Sequence, residues 1–270
     1  MKTKQKDLKE IVRSKYNQIA VQSKRQNLSS CCGGTPCCSD TDYTIFSDDA
    51  SHMEGYHPDA DLGLGCGLPT EFAGIRKGDT VLDLGSGAGN DCFIARALVG
   101  EEGKVIGLDF AVAMLKKARE NALRLGYKNV DFIRGDIESM PFREPVADVV
   151  ISNCVLNLVP DKKKAFNQMY RVLKPGGHFC VSDVVISGNL PDKLLQEAEL
   201  YAGCVAGAIQ KEEYLKSLVD AGFTEVVVRK EKEITLPDEM LLNYLSPAEF
   251  IAFRSQGTGI YSITLTGNKE

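Results

Sequence analysis

The run VLDLGSGAGND at residues 81–91 carries the residue types and spacing best suited to chemistry. Its apolar residues, interrupted by Asp83, read as a buried strand. Gly85, Ser86, Gly87 and Gly89 then form a tight turn, with a helix from about Asn90. Glycine serves where backbone must adopt positive φ or lie against a ligand with no Cβ in the way. The amides of such a turn, at a helix N-terminus, point at an acceptor-rich ligand. The spacing is G-x-G-x-G. The dinucleotide fingerprint is G-x-G-x-x-G, and its third glycine position is Asn90 here. About twenty residues on, Asp109 closes a second strand-like run, where a carboxylate suits a ribose diol.

Thiols are the second chemical resource. The chain has nine cysteines, an odd number, and its charged, amphipathic N-terminus lacks the apolar core of an export signal. In a reducing cytoplasm, the expected location, such thiols are free, catalytic or metal-binding rather than structural disulfides. Cys66 lies in the glycine-rich loop LGLGCGLP, Cys154 in SNCVLN at the end of a strand, and Cys204 in AGCVAG. Each taken alone reads as a small buried apolar residue. Cys92 and Cys180 fall inside a helix and a strand and read as core. The cluster Cys31-Cys32-Gly-Gly-Thr-Pro-Cys37-Cys38 admits a zinc site without the usual second spaced pair, a thiol-relay arm, or an arm with incidental thiols. Histidine is scarce: His178 begins a strand and reads as structural, and His52 and His57 sit in an irregular stretch.

These residues need a scaffold. Strand-like runs at 80–84, 104–109, 130–134, 147–152 and 178–185 alternate with helical patterns at 91–98, 111–125 and 161–173. Such alternation predicts right-handed crossovers and a parallel sheet covered on both faces. Residues 174–177, KPGG, read as a break between a helix and the next strand. A helix at 211–221 precedes strands at 224–230 and 261–266, which suit an antiparallel pair at one edge. Residues 1–60 read as an N-terminal helix and Cys-rich arm, 61–185 as the core, and 186–270 as a cap region with the final strands. The formal charge of −5 argues against a nucleic-acid binder, the 43% hydrophobic content suits a packed core, and no apolar stretch approaches the eighteen or more residues of a membrane helix. The first 25 residues lean basic and read as a solvated, partly frayed helix.

In such sheets, ligands sit beyond the carboxyl ends of strands. The suspicious residues fall there: Asp83 with the glycines, Asp109, then Gly135-Asp136-Ile137-Glu138, then Asn153-Cys154. An acid at Asp136 could accept from an adenine amino group; its plain reading is a turn cap. This pattern, with Pro141-Phe142 and Leu173-Lys174-Pro175-Gly176-Gly177, resembles the class I S-adenosylmethionine (SAM) methyltransferases. The resemblance implies a Rossmann-like, mostly parallel α/β sheet with an antiparallel edge. It also implies a SAM site at Asp83, Gly85, Ser86, Gly87, Gly89, Asp109, Asp136, Ile137 and Asn153.

Over residues 30–265, through Gly65-Cys66-Gly67, Asn153-Cys154-Val155 and the loop at Cys204, the chain resembles the arsenite methyltransferases. In that family three thiolates hold As(III) in a trigonal pyramid, matching Cys66, Cys154 and Cys204. An upstream cysteine, matching Cys31 or Cys32, joins a disulfide relay. The resemblance also implies a small-molecule arsenical substrate, a thiol reductant such as glutathione or thioredoxin, and arsenic detoxification. Many relatives carry Asn where Leu68 stands, so any polar contact by that side chain is absent here. Soft thiolates select thiophilic centres, and As(III) keeps a lone pair that needs no general base. Two other functions compete: a C- or O-methyltransferase of a small molecule such as a quinone precursor, with Cys66 and Cys204 as packing, and a non-enzymatic thiol protein that sequesters metalloids.

Overall fold

A parallel strand buried on both faces reads as a near-continuous apolar run, and this property organises the molecule. The structure, a computed structural model, describes residues 2–21, 48–190, 207–236, 238–255 and 257–270. Helix α1 (Lys2–Ile19) comes first, then a short helical turn, α2 (Pro69–Phe72). The alternating part follows: β1 (Thr80–Leu84), α3 (Asn90–Val99), β2 (Lys104–Asp109), α4 (Val112–Arg124), β3 (Val130–Arg134) and β4 (Ala147–Asn153). A 3-10 turn at Leu156–Leu158 leads to α5 (Lys162–Val172) and β5 (Leu173–Ser187). Beyond these lie α6 (Lys211–Asp220), β6 (Thr224–Ile234), α7 (Asp238–Tyr244), α8 (Pro247–Ser255) and β7 (Gly259–Asn268).

The strands form one sheet in the order β3-β2-β1-β4-β5-β7-β6. The first five are parallel; β7 runs antiparallel to both of its neighbours and brings β6 to the edge. This is the Rossmann-like class I methyltransferase arrangement expected from the sequence. Its switch point lies between β1 and β4, where the crossovers change direction and a cleft opens at the carboxyl ends. Alternate side chains feed opposite faces: Leu82 and Val150 join the core under α5 and α6, and Val81, Val149 and Ile151 join the core under α3 and α4. A third cluster, with Val184, Ile234, Leu241, Phe253 and Ile260, carries α7 and α8. Among the described residues no helix is long and apolar enough to cross a membrane.

One sequence expectation needs refining. The strand begins at Leu173, directly after the helix, and KPGG turns the chain inside it: Gly176 has a φ of 76°, and the pairing with β4 jumps from Leu173 to His178. The amide of Gly176 donates to the carbonyl of Lys269 (3.0 Å), and the amide of Lys269 donates to that of Gly177 (2.8 Å). That distant partner draws the turn-forming residues into the sheet.

Candidate functional site

At the end of β1, Gly85, Gly87 and Gly89 all have positive φ, at 75°, 52° and 97°. A Cβ on Gly85 would stand 2.4 Å from the Val155 side chain, whereas one on Gly87 would meet nothing within 4 Å. The turn thus packs against the protein on one side and opens toward the cleft on the other. Asp109 accepts from the amides of Gly87 (2.9 Å) and Ala111 (2.8 Å). The Gly87 amide, expected to face a ligand, is therefore taken by Asp109, which fixes both the turn and the start of α4. Carboxylate oxygens have about four acceptor positions, so capacity remains for a diol. Asp83 is buried and accepts from the Cys92 thiol (3.2 Å). Burial pushes both carboxyls up, Asp83 well above its ordinary value and with further help from Asp91.

The cleft also receives two acids that were not among the expected site residues. Asp61 and Asp91 line it beside Asp83. Burial pushes the Asp91 carboxyl up to about 6; the Asn153 amide pulls it down and the Asp61 charge raises it. Ser86 is 6% exposed, lines the cleft and has an Oγ with no protein partner. A buried, unpartnered hydroxyl beside several carboxylates fits a polar, cationic ligand.

Helix α1 is not the solvated helix expected. Lys9 and Tyr16 line the cleft, and Ile19 and Ala20 pack with Leu62, Ala88 and Met114. Asn17 accepts from the amide of Ala113 (3.0 Å), capping α4 from outside its own segment. Lys9 bridges Asp136 (2.6 Å) and Glu138 (2.7 Å). Asp136 also accepts from the amide of Glu138 (2.9 Å), so it caps its own turn while lining the cleft. Ile137 lines the cleft close by and is buried against Leu108. The basic character of α1 is therefore used on the acids after β3.

Cys66 and Cys154 come together in the cluster that carries α7 and α8; each is 1% exposed. Asn153 connects them to the cleft. Its Oδ1 accepts from the amide of Cys66 (3.0 Å), and its Nδ2 donates to the carbonyl of Gly67 (2.9 Å) and to Asp91 (2.9 Å). From β7, Ser262 donates to the carbonyl of Cys66 (2.6 Å). Cys154 has a φ of 58°, and its amide donates to the carbonyl of Ser182 (2.8 Å). Cys31, Cys32, Cys37, Cys38 and Cys204 lie outside the described residues, so the zinc reading and the third thiol fall there too. Among the described residues no three His, Cys, Asp or Glu side chains gather as a metal site. Cys92 and Cys180 are fully buried, and burial pushes the Cys180 thiol up to about 12, in keeping with core roles. His178 meets the carbonyl of Ala73 at 2.6 Å, and no histidine lines the cleft.

Asp91 ended the glycine run and so was open to notice; nothing in the sequence marked Lys9 or Asp61. The arrangement joins an acid-walled cleft behind a glycine turn to two buried thiols, through one asparagine.

Residues 75–222 match the methyltransferase-domain family. The arsenite methyltransferase of Halobacterium salinarum is 41% identical over 241 residues, covering 85% of this chain and 60% of its own length. That of Aquipseudomonas alcaligenes is 33% identical, covering 89% of this chain and 69% of its own. The crystal structure of an arsenic(III) S-adenosylmethionine methyltransferase from Chlamydomonas reinhardtii superposes with a TM-score of 0.60 at 36% identity, covering 72% of this chain and 64% of that one.

Proposed function

This chain belongs to the arsenite methyltransferases, and from that premise we propose that it transfers methyl groups from SAM to trivalent arsenic held by cysteine thiolates. It spans 60% of the length of the Halobacterium relative. The observation that carries the reading is the burial of Cys66 and Cys154 together, joined through Asn153 to the cleft behind the glycine turn.

The residues present fit SAM. The open side of Gly87, the unpartnered Ser86 hydroxyl, and Asp61, Asp83 and Asp91 suit a ligand that is polar and bears positive charge. Asp109 would take the ribose and Asp136 with Ile137 the adenine, under the cover of α1. Bound there, SAM supplies an electrophilic methyl group. The chain's own residues do the rest. Cys66, Cys154 and Cys204 would hold As(III) as substrate, with its lone pair free to form the new As–C bond. No base is needed, in keeping with a cleft free of histidine. Holding the partners in line is the protein's main contribution, and orientation alone can lower a barrier by roughly 7–11 kcal/mol. The apolar shell from α7, α8 and β7 keeps water from the thiols. Transfer leaves the arsenic oxidised by two electrons. A thiol pair including Cys31 or Cys32, recharged by glutathione or thioredoxin, would return them as it closes to a disulfide. The purpose in this reading is arsenic detoxification.

Incubation with arsenite, glutathione and SAM, followed by speciation of the arsenic, tests the reading: methylated arsenicals are expected. Cys154→Ser should abolish them while SAM still binds. Normal turnover in that variant defeats the thiol-ligand assignment.

A further inference from the structure

A buried acid and phenol lie beyond the two thiols and play no part in the reading above. Asp183 of β5 and Tyr214 of α6 are both 0% exposed. Tyr214 donates to Asp183 at 2.9 Å, and its ring meets Phe166 edge-on at 5.1 Å. Asp183 also accepts from the amides of Val184 (3.0 Å) and Asn157. A buried tyrosine hydroxyl needs some partner, but a carboxylate in the core is a costly one to supply for packing alone.

The backbone at Cys154 gives the pair a task. Cys154 is a non-glycine residue in the left-handed region, with a φ of 58°. Such a conformation persists where its surroundings over-determine it, and it clusters at functional sites. Here the surroundings are consecutive residues of β5. The carbonyl of Ser182 accepts from the Cys154 amide, and the next side chain, Asp183, accepts from the Asn157 amide at the far end of the same turn. Gly207, with a φ of 87°, passes so close to the carbonyl of Asn157 that a Cβ there would stand 2.4 Å away.

We propose that Tyr214, acting through Asp183, is a positioning residue of the thiol pocket: their bond clamps the left-handed turn at Cys154 and thereby sets the reach of that thiol toward the one at Cys66 for a trivalent thiophilic centre. The inference rests on the reading that these thiols hold the substrate. Without the phenol, Asp183 loses its side-chain donor. The carboxyl then turns or takes up a proton, the hold on Asn157 slackens, and Cys154 relaxes to an ordinary conformation with its sulfur displaced.

The test compares the wild-type chain with Tyr214→Phe. Arsenite affinity is read by equilibrium dialysis with elemental analysis, SAM affinity by calorimetry, and KM for arsenite from initial rates. At least a fivefold loss of arsenite affinity is expected, with a matching rise in KM, while SAM affinity stays within twofold. Arsenite affinity like that of the wild type overturns the proposal. So does a parallel loss of SAM affinity and thermal midpoint in which arsenite is not singled out, since that marks a merely structural role. If Tyr214→Phe does not fold, Asp183→Asn with Tyr214→Phe removes the carboxylate together with its donor, while Lys162 keeps its bonds to the carbonyls of Asn157 and Val159, and the same criteria apply to it. A wild-type chain that binds no arsenite overturns the parent reading instead; a wild-type chain that binds it alongside an unaffected variant overturns this inference alone.

Discussion

Asn153→Asp keeps the shape of the side chain and reverses the sense of half its contacts. The retained oxygen still accepts from the amides of Cys66 and Gly67. The other end, which donates to the Gly67 carbonyl and to Asp91 at 2.9 Å each, becomes an acceptor facing acceptors. Losing a hydrogen bond to a charged group costs about 1.5–3 kcal/mol and a neutral one about 0.5–1.5, giving about 2–4.5 kcal/mol at pH 8. In a chain of this size each kcal/mol moves the thermal midpoint by about 2–4 °C. Protonation relieves the conflict. Burial already raises the Asp91 carboxyl to about 6 against the downward pull of Asn153. The variant removes that pull and adds a second carboxyl, so the pair keeps a proton to higher pH. The folded variant then binds a proton that its unfolded chain, with carboxyls near their ordinary values, does not. Its stability therefore rises as pH falls, and its deficit against the wild type shrinks between pH 8 and pH 6, by at most about 1.4 kcal/mol per pH unit. Urea unfolding of both proteins at the two pH values measures this. A deficit under about 0.5 kcal/mol at pH 8, or one equal at both pH values, refutes the hub assigned to Asn153.

Two further outcomes follow from the cleft. Asp109→Ala should weaken SAM binding about 10- to 160-fold, since a hydrogen bond to a charged group is worth about 1.5–3 kcal/mol; it should also lower the thermal midpoint, because the amides of Gly87 and Ala111 lose their acceptor. Unchanged SAM affinity by calorimetry removes Asp109 from the site. Lys9→Met should cost under about 1 kcal/mol of stability, as partly exposed ion pairs do, yet speed SAM dissociation in stopped-flow by loosening α1 from Asp136 and Glu138. An unaltered off-rate shows that α1 does not cover the bound cofactor.

Much of the scaffold was legible because its signals are local. The inner strands of the parallel part announced themselves as apolar runs, and polar residues interrupted those runs where the cleft opens. Asp83, Asp109 and Asn153 were visible for that reason. The parts that stayed hidden depend on contacts distant in sequence. The amphipathic face of α1 says that it can bury something, but not that Lys9 reaches residues more than a hundred positions away. KPGG does turn the chain, but inside β5 rather than before it, where Lys269 holds it. The pairing of Cys66 with Cys154 follows from β5 lying between β4 and β7, an order that no window around either cysteine contains. Asp183 and Tyr214 were hidden for the same reason, each looking like an ordinary core position.

The support beneath Cys66 has a consequence for synthesis. Ser262, which holds the Cys66 carbonyl, is encoded 196 residues downstream. Ribosomes add about 5–20 residues per second, so Cys66 emerges about 10–40 s before its prop exists. During that interval the nascent polypeptide presents the Cys66 thiol on a loop that lacks its brace from the last strand. Until the last strand pairs, the loop at Cys66 has no fixed geometry to present, so the order of the two sulfurs is completed only when β7 joins the sheet.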